Sequence, residues 1–289
     1  MRTVAAAGGV CVLVVALVIV ALTLHGPGEP AATPAAGATT RGRSGGSRPD
    51  PFGSAGSYVR GRDGTVTAAV YDMRTGQTWA FGSARPQAEA SVVKLGILET
   101  LLDRDPGGLP AADRPLATQM IEDSDNDAAT SLWYAAAGAA GVGAYDSAAG
   151  LGDTTPSPCV RCAGFAWPGW GLSTTTPADQ LRLLRQLAGP GTLLSAGDRA
   201  YALSLLENVT AGQRWGVSGG VPAGVTVALK NGWLPLDAAA TDWQINSVGW
   251  VSGQGRDYLM AVLATGNPSE RYGIDTINEL SSLVWHALG

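Results

Sequence analysis

Ser91-Val92-Val93-Lys94-Leu95-Gly96-Ile97-Leu98 places a serine and a lysine three positions apart at the start of an apolar segment. Apolar residues recur at helical spacing through Leu102 and stop before Asp105-Pro106-Gly107-Gly108, so this segment predicts a helix. Residues three apart on a helix share a face, and we expect Ser91 and Lys94 to touch. A serine in the first turn also lies near the positive end of the helix dipole, which favours formation of an alkoxide.

The two lysines of the chain both lie in short polar motifs. There are seventeen arginines but only Lys94 and Lys230, the second in Lys230-Asn231-Gly232. Arginine keeps its proton near neutral pH, whereas a buried lysine can become a neutral amine and take a proton from a nucleophile. If the two lysines are close, burial and the Lys230 charge would lower the pKa of Lys94 and suit it to act as a base.

A third motif, Ser124-Asp125-Asn126, lies between the other two. In a catalytic interpretation Ser124 passes a proton between Lys94 and the leaving group, and Asn126 binds an amide carbonyl of the substrate. In a structural interpretation Asp125 or Asn126 is the N-cap of a helix that begins with Asp127-Ala128-Ala129. The two interpretations are compatible.

The motif Lys230-Asn231-Gly232 is predicted to end a strand. Lys230, Asn231, Gly232 and the following Trp233 are candidate substrate-binding residues. Lys230 would supply a fixed positive charge, and Gly232 would let a substrate lie close to the backbone. The backbone N–H groups of Ser91 and Trp233 are then candidates for an oxyanion hole. An Asn-Gly turn between two strands is the alternative interpretation of the same letters.

The order of predicted elements indicates one mixed fold. Two strands precede the Ser91 helix, a helical middle follows, and three strands and a last helix close the chain. This order predicts an antiparallel sheet built from both chain ends and flanked by helices, with an all-helical insertion over about 103–210. The predicted strands cover 65–71, 78–81, 225–229, 244–251 and 257–265, and the other helices 117–122, 127–137, 177–187, 195–208 and 271–288.

A long irregular loop is predicted over 151–176. Loops of this length in compact domains are usually functional or disordered, and its aromatic residues Trp167 and Trp170 favour an ordered lid. It also contains Cys159 and Cys162. A structural disulfide is the first expectation for this pair in an exported protein, with free thiols as the alternative.

The N-terminal region predicts export. After Arg2, residues 3–24 are uncharged and apolar, about long enough to cross a bilayer, so residues 1–24 are interpreted as an uncleaved membrane anchor, with a cleaved signal and secretion as the alternative. Cys11 lies inside this run after Val10 and does not fit a lipid-attachment site. Residues 25–57 are rich in Gly, Pro, Ala and Ser and predict a flexible tether. The folded domain is expected over 58–289.

Composition excludes several classes of function. A net charge of −5 provides no basic field for nucleic acid. Nothing in the composition indicates a metal or cofactor, and a monomer acting on a small molecule or a peptidoglycan-derived substrate is expected. A Ser-His-Asp hydrolase is nearly excluded, because His25 lies in the tether and His286 near the end of the last helix.

The three motifs, in this order, resemble those of the class A β-lactamase-like serine hydrolases, which are penicillin-recognising enzymes. The resemblance covers about 58–288 and extends to Ala69-Val70-Tyr71-Asp72, Met120-Ile121 and Thr174-Thr175-Thr176-Pro177-Ala178. It implies an α/β domain plus an all-α domain with the active site between them. This expectation agrees with the order of elements.

Three departures from the family pattern accompany the resemblance. The segment between Ser91 and Ser124 is short, which implies a trimmed helical domain. Asn231 stands where the family has threonine or serine, which removes a hydroxyl that would meet the substrate carboxylate. The family's deacylating glutamate is missing: family spacing leads to Val160, and the only acids between Asp127 and Pro177 are Asp146 and Asp153.

The sequence therefore predicts an exported serine acyl-hydrolase that forms an acyl-serine with β-lactams or related amides and esters and deacylates slowly. A D-Ala-D-Ala peptidase or esterase with the same acylation chemistry is one alternative. A non-enzymatic peptidoglycan-binding module is another. The presence of Ser91, Lys94 and Ser124 together argues against a binding module, which has no need of a nucleophile, a base and a relay.

Overall fold

The computed structural model describes residues 49–289. The predicted anchor over 1–24 and most of the predicted tether over 25–57 lie outside the described residues. Within residues 49–289, no helix is long and apolar enough to cross a membrane.

Eight helices and seven strands make up the described part of the chain. The helices are α1 Phe52–Val59, α2 Val93–Arg104, α3 Asp113–Thr118, α4 Asn126–Ala135, α5 Gly138–Ala148, α6 Pro177–Ala188, α7 Ala196–Glu207 and α8 Glu270–Ala287. The strands are β1 Thr65–Asp72, β2 Thr78–Phe81, β3 Gln87–Ala88, β4 Thr174–Thr175, β5 Thr226–Pro235, β6 Trp243–Gly253 and β7 Arg256–Asn267.

The main sheet joins the two ends of the described chain. Its five strands run in the order β2-β1-β7-β6-β5, and every neighbouring pair is antiparallel. β1 pairs with β7 through Val70 and Met260, and β5 pairs with β6 through Lys230 and Val248. β3 and β4 form a separate short antiparallel pair, and β3 lies just before Ser91 in the chain. The expected antiparallel sheet with a helical insertion is confirmed.

Side chains on the two faces of the sheet belong to two hydrophobic cores. One core contains Ala261 of β7 and the helices from α2 to α7, and the other contains Val262 of β7 with α1 and α8. Neighbouring residues of a strand point to opposite faces, so each long strand contributes to both cores. Helix α2 is buried along its length from Val93 to Leu102, which makes it the central helix of the larger core.

Two helices were not predicted from the sequence. α1 begins at Phe52, six residues before the expected start of the folded domain, because Phe52 is buried and its ring lies 5.8 Å from that of Phe81. α5 over Gly138–Ala148 is rich in glycine and alanine, so its sequence carries little periodic signal. It is held by contacts of Val142 and Tyr145 with the larger core.

Three acidic side chains are buried around α2. Burial raises the pKa of Glu89 and of Glu99 well above the ordinary glutamate value. Burial, with the nearby charge of Asp179, raises the pKa of Asp146 from 3.8 to about 7. Glu99 accepts a hydrogen bond of 2.8 Å from the Tyr145 hydroxyl. All three carboxyls therefore favour the protonated form in the folded protein.

The free energy of unfolding should decrease as the pH rises from about 4 to about 7. A carboxyl whose pKa is raised by folding stabilises the folded state fully below its unfolded pKa, and this contribution is lost as the pH rises through the folded pKa. At pH 8, Asp146→Asn should be more stable than the wild type by about 2–4 kcal/mol, since one unit of pKa is worth about 1.4 kcal/mol. Urea unfolding at pH 5 and pH 8 measures the difference.

The matched control for this prediction is Asp153→Asn, which changes an exposed carboxyl on the following loop. A surface substitution of this kind should alter stability by no more than about 0.5 kcal/mol. An Asp146→Asn variant that is no more stable than the wild type at pH 8 would contradict the burial argument.

Candidate active site

Ser91 lies at the N-terminal end of the central helix. A short 3-10 turn over Ala90–Val92 leads directly into α2, and Ser91 is half-buried at the wall of a cleft. The preceding residue, Ala90, has φ 50°, a left-handed conformation that non-glycine residues rarely adopt. Such strain is held by the surrounding fold and concentrates at functional sites.

Lys94 lies directly behind the cleft and is completely buried. Its Nζ donates hydrogen bonds to the Ser124 carbonyl oxygen at 2.6 Å, to Ser124 Oγ at 3.1 Å and to Asn126 Oδ1 at 2.8 Å. Among the described residues, Ser91 Oγ has no side-chain hydrogen-bond partner. The expected direct contact between Ser91 and Lys94 is therefore not formed as a hydrogen bond in this conformation.

The Ser124 hydroxyl joins the two lysines. Lys230 Nζ donates to Ser124 Oγ at 2.9 Å and to the Asn231 carbonyl oxygen at 2.9 Å. Ser124 itself has φ 59°, again in the left-handed region, after a π-helical turn over Gln119–Asp123. The turn brings its hydroxyl between side chains from α2 and β5.

The environment lowers the pKa of both lysines. Burial is the main cause of the lowered pKa of Lys94, and the charge of Lys230 adds to it, while Asp125 opposes the shift; the pKa of Lys94 lies well below 10.5. Burial lowers the pKa of Lys230 to about 7. The neutral amine is therefore more accessible at Lys94 than at an exposed lysine, as the chemistry of a general base requires.

Gly232 brings β5 against the backbone of the Ser91 turn. A side-chain carbon at this position would lie 2.6 Å from the Ser91 nitrogen, closer than real contacts permit. The glycine is therefore required by the approach of β5 to the serine, whereas the sequence interpretation had it facing the substrate. The strand also continues through the motif to Pro235, so the prediction that Lys230-Asn231-Gly232 ends a strand, and the alternative of a turn, are both wrong.

The side chain of Asn231 points away from the cleft. Its Nδ2 donates to the carbonyl oxygens of Gln213 and Trp215, at 2.6 and 3.1 Å, and its Oδ1 accepts from Ser247 Oγ at 2.6 Å. Because side chains alternate along a strand, Asn231 faces the opposite side of β5 from Lys230 and Gly232. The expectation that this side chain contacts the substrate is corrected.

The Ser124-Asp125-Asn126 motif also starts a helix. Asp125 caps α4 by accepting a hydrogen bond of 2.7 Å from the Ala128 N–H, so the structural interpretation is correct. Asn126 follows at the first position of the helix, where it lines the cleft and contacts Lys94. The motif therefore combines a cap with two polar groups beside the cleft.

The cleft at Ser91 is small, with a cavity volume of about 50 Å³, and it contains half of the predicted site residues. Lys94, Lys230, Asn231 and Gly232 lie outside its lining. The sequence interpretation missed several apolar lining residues, although the aromatic content of the 151–176 loop was a signal for some of them. The lining consists of Ala90, Ser91, Ser124, Asn126, Trp167, Pro168, Trp170, Gly171, Trp233 and Leu234.

Trp170 fills the space beside Lys94. The centre of its indole lies 5.1 Å from Lys94 Nζ, a distance at which a cation and an aromatic face attract. Trp170 Nε1 donates to Thr130 Oγ1 at 3.1 Å, which fixes the ring against α4. With only 2% of its surface exposed, the indole keeps this side of Lys94 dry.

A disulfide supports the loop that carries Trp170. Cys159 and Cys162 are joined, as the first expectation for this pair had it. A side-chain carbon on Gly169 would lie 2.2 Å from Cys162 Sγ, so the disulfide packs directly on the backbone that precedes Trp170. The Gly169 N–H also donates to the Val160 carbonyl oxygen at 2.7 Å. The loop is ordered over the cleft.

The two acids considered for deacylation lie elsewhere. Asp146 is buried on α5, and Asp153 is exposed at the start of the loop. Neither of them lines the cleft, nor does Val160, which packs against the larger core. Within residues 49–289, no cluster of His, Cys, Asp and Glu side chains is suited to hold a metal ion.

The serine and the two buried lysines lie between a five-stranded antiparallel sheet and a helical region, and this architecture is that of the β-lactamase fold. The structure is similar to the TLA-1 extended-spectrum β-lactamase, with a TM-score of 0.69 and 17% identity over 82% of this chain and 98% of that one. It is also similar to the class A β-lactamase of Mycobacterium abscessus, with a TM-score of 0.68 and 22% identity over 82% and 98%. At these identities the likeness concerns the fold.

Residues 108–288 match the sequence profile of the β-lactamase enzyme family, and the chain belongs to that family. The matched region contains Ser124 and Lys230 and begins after Ser91. The chain is also 30% identical over 207 residues to the protein named "Putative lipoprotein LppW" in Mycobacterium tuberculosis and Mycobacterium bovis. That alignment covers 68% of this chain and 62% of each relative, so the chain spans less than two thirds of their length.

Proposed function

We propose that this protein is an exported serine acyl-hydrolase in which Ser91 is the nucleophile. The observation that carries the proposal is the Ser124 hydroxyl, which lies 3.1 Å from Lys94 Nζ and 2.9 Å from Lys230 Nζ beside the cleft that Ser91 lines. A base, a proton relay and a second cation are thereby connected next to a serine. A binding module would have no use for two buried lysines whose pKa values are lowered.

Acylation begins when Ser91 Oγ attacks the carbonyl carbon of an ester or amide and its proton passes to neutral Lys94. The N–H groups of Ser91 and Trp233 hold the oxyanion of the tetrahedral intermediate. When the bond to the leaving group breaks, that group takes a proton through Ser124, and an acyl-serine remains. The contact with Lys94 orients the Asn126 amide so that its Nδ2 is free to hold a substrate carbonyl.

Deacylation is proposed to be slow. Hydrolysis of the acyl-serine needs a base that takes a proton from water, and no carboxylate lines the cleft within the described part of the chain. The indole of Trp170 occupies the space beside Lys94 where such a water would have to approach. These features support a long-lived acyl-enzyme.

We also propose that the folded domain works outside the cytoplasm, tethered to the cell envelope. The apolar run behind Arg2 and the word lipoprotein in the name of the mycobacterial relatives support this location. A short positive N-terminus is expected to remain inside. Fractionation of cells should recover the intact protein with membranes, digestible by protease added from outside. Recovery of the intact protein from the cytosol alone would refute the proposed location.

The function is tested by covalent labelling of the purified protein with an alkyl fluorophosphonate. One equivalent should attach, and peptide mapping should place it on Ser91. Ser91→Ala should lose the label completely, while Ser131→Ala, which removes an exposed serine hydroxyl on α4, should label at the wild-type rate. Absence of label from a folded wild-type protein would refute the proposed activity.

A further inference from the structure

Among the described residues, the wall of the cleft contains no basic side chain, and Arg161 lines an adjoining cavity that shares Trp167 and Pro168 with it. The lining residues within the described chain include no lysine or arginine. Lys94 and Lys230 are 0% and 1% exposed, and Ser124 separates them from the open space by accepting hydrogen bonds from both. Burial lowers the pKa of both lysines, which further weakens the positive charge behind the cleft.

The polar groups that neighbour Lys230 are satisfied within the protein. All the hydrogen bonds of the Asn231 side chain go to Gln213, Trp215 and Ser247, away from the cleft. On the neighbouring strand β6, the residue opposite Asn231 is Ser247, and no lysine or arginine occurs from Trp243 to Gly253. The Asn231 and β6 positions beside Lys230 therefore offer the cleft neither a hydroxyl nor a guanidinium.

Much of the wall of the cleft is apolar. Trp167 and Pro168 come from the loop, and Trp233 and Leu234 come from β5. The Trp233 ring packs edge-on against Trp215, with ring centres 6.0 Å apart, which supports its position in the wall. Trp167 is 41% exposed, which leaves apolar surface for a substrate to cover.

We propose that this cleft selects esters and amides with an uncharged, apolar acyl group and discriminates against substrates that carry a carboxylate. The inference rests on the proposed serine acyl-hydrolase function and names its substrate class. An apolar chain gains free energy by covering Trp167 and Trp233, whereas a carboxylate would lose its hydration without meeting a lysine or an arginine in the lining, where only neutral donors such as the Asn126 amide are left. The covalent step is unchanged: Ser91 Oγ forms the ester, and the leaving alcohol or amine departs with a proton.

The test compares two esters with the same leaving group and the same number of acyl carbons. p-Nitrophenyl hexanoate is neutral, and the mono-p-nitrophenyl ester of adipic acid ends in a carboxylate. Stopped-flow release of nitrophenolate should show acylation by the hexanoate at least tenfold faster at equal concentration. Equal rates, or a faster reaction of the adipate ester, would overturn the substrate class while leaving the serine hydrolase intact.

Fluorophosphonate labelling separates this outcome from failure of the enzyme itself. If Ser91 takes up the fluorophosphonate but neither ester reacts, the substrate class is wrong; if Ser91 takes up nothing, the proposed function is wrong. The wild type should acylate faster with p-nitrophenyl hexanoate than with p-nitrophenyl acetate, because the longer chain covers more of the apolar wall. In Trp167→Ala the ratio of these two acylation rates should fall severalfold. Tyr134→Ala, which removes an aromatic side chain 64% exposed and outside the cleft, should keep the wild-type preference. An unchanged preference in Trp167→Ala would contradict the assigned apolar wall.

Discussion

Replacing Lys94 with arginine is expected to slow acylation of Ser91 by about 10²–10⁴, the usual worth of general-base assistance. The guanidinium keeps the positive charge but does not release its proton near neutral pH, so it has no lone pair for the serine proton. The measurement is the rate of fluorophosphonate or p-nitrophenyl ester uptake by the purified variant, with thermal unfolding recorded to show that it is folded.

Lys230→Arg is the matched control for Lys94→Arg. It makes the same substitution in the other buried lysine, which we assign the role of a cation rather than a base, and it should therefore cost less activity. Lys94→Met removes the charge at the same position, and Ser91 should be acylated as slowly in this variant as in Lys94→Arg. Wild-type labelling rates in Lys94→Arg, or a greater loss in Lys230→Arg, would show that Lys94 is not the base.

The pH dependence of acylation follows from the lowered pKa of Lys94. The neutral amine of Lys94 and the cation of Lys230 are the active forms, so the wild-type rate should rise with pH through the lowered pKa of Lys94 and fall as Lys230 loses its charge around its pKa of about 7. The rising limb should disappear in Lys94→Arg and Lys94→Met, because neither side chain exchanges a proton in this range. If Lys94 acted only by supporting the fold, the rising limb of the pH profile would remain in both variants.

The acyl-serine, once formed, is expected to persist. An acylated sample separated from excess reagent should lose its added mass over minutes to hours, because a missing general base costs about 10²–10⁴ in rate. Intact-protein mass spectrometry follows the loss directly and does not depend on how fast the reagent acylates. Loss within a second would show that another residue activates water, and Asp153 would be the first to replace.

Trp170→Glu provides the positive test of slow deacylation. It replaces the indole beside Lys94 with a carboxylate in the same part of the cleft, and it should shorten the life of the acyl-serine. Trp170→Gln is the matched control, since it opens the same space without adding a base. Position 160, which family spacing suggests for the glutamate, is a poorer choice because Val160 packs against the core and lies outside the cleft. Equal lifetimes of the acyl-serine in Trp170→Glu and Trp170→Gln would contradict the proposal that deacylation is slow because a base is missing.

Several features of the fold were predictable because they depend on short stretches of sequence. The strand at 78–81 occurs at its predicted residues, and α2 ends before Asp105 as the turn residues indicated. The cap by Asp125 could also be predicted from the sequence, since an aspartate can accept a hydrogen bond from the unpaired backbone N–H three residues later in the first turn of a helix. Periodicity and capping are local properties, so the chain displays them without its tertiary structure.

Asn231 shows how one local error altered the interpretation of the site. If the strand had been predicted to continue to Pro235, its two-residue alternation would have placed Asn231 opposite Lys230 and Gly232. The prediction of a strand end removed that constraint. α5 was missed for a different reason, because its Gly- and Ala-rich sequence has no strong period and its helix depends on burial of Val142 and Tyr145.

The sequence by itself determined the order of the elements, the cap, and the presence of Ser91, Lys94, Ser124 and Lys230 in motifs of this family. Only the tertiary structure decided which of these groups meet. Ser124 Oγ reaches both lysines because a left-handed turn brings it between α2 and β5, and Trp170 covers Lys94 from a loop far along the chain. Such contacts depend on packing between distant segments, and so do the pKa values of the buried groups, because neighbours in space set the cost of a charge.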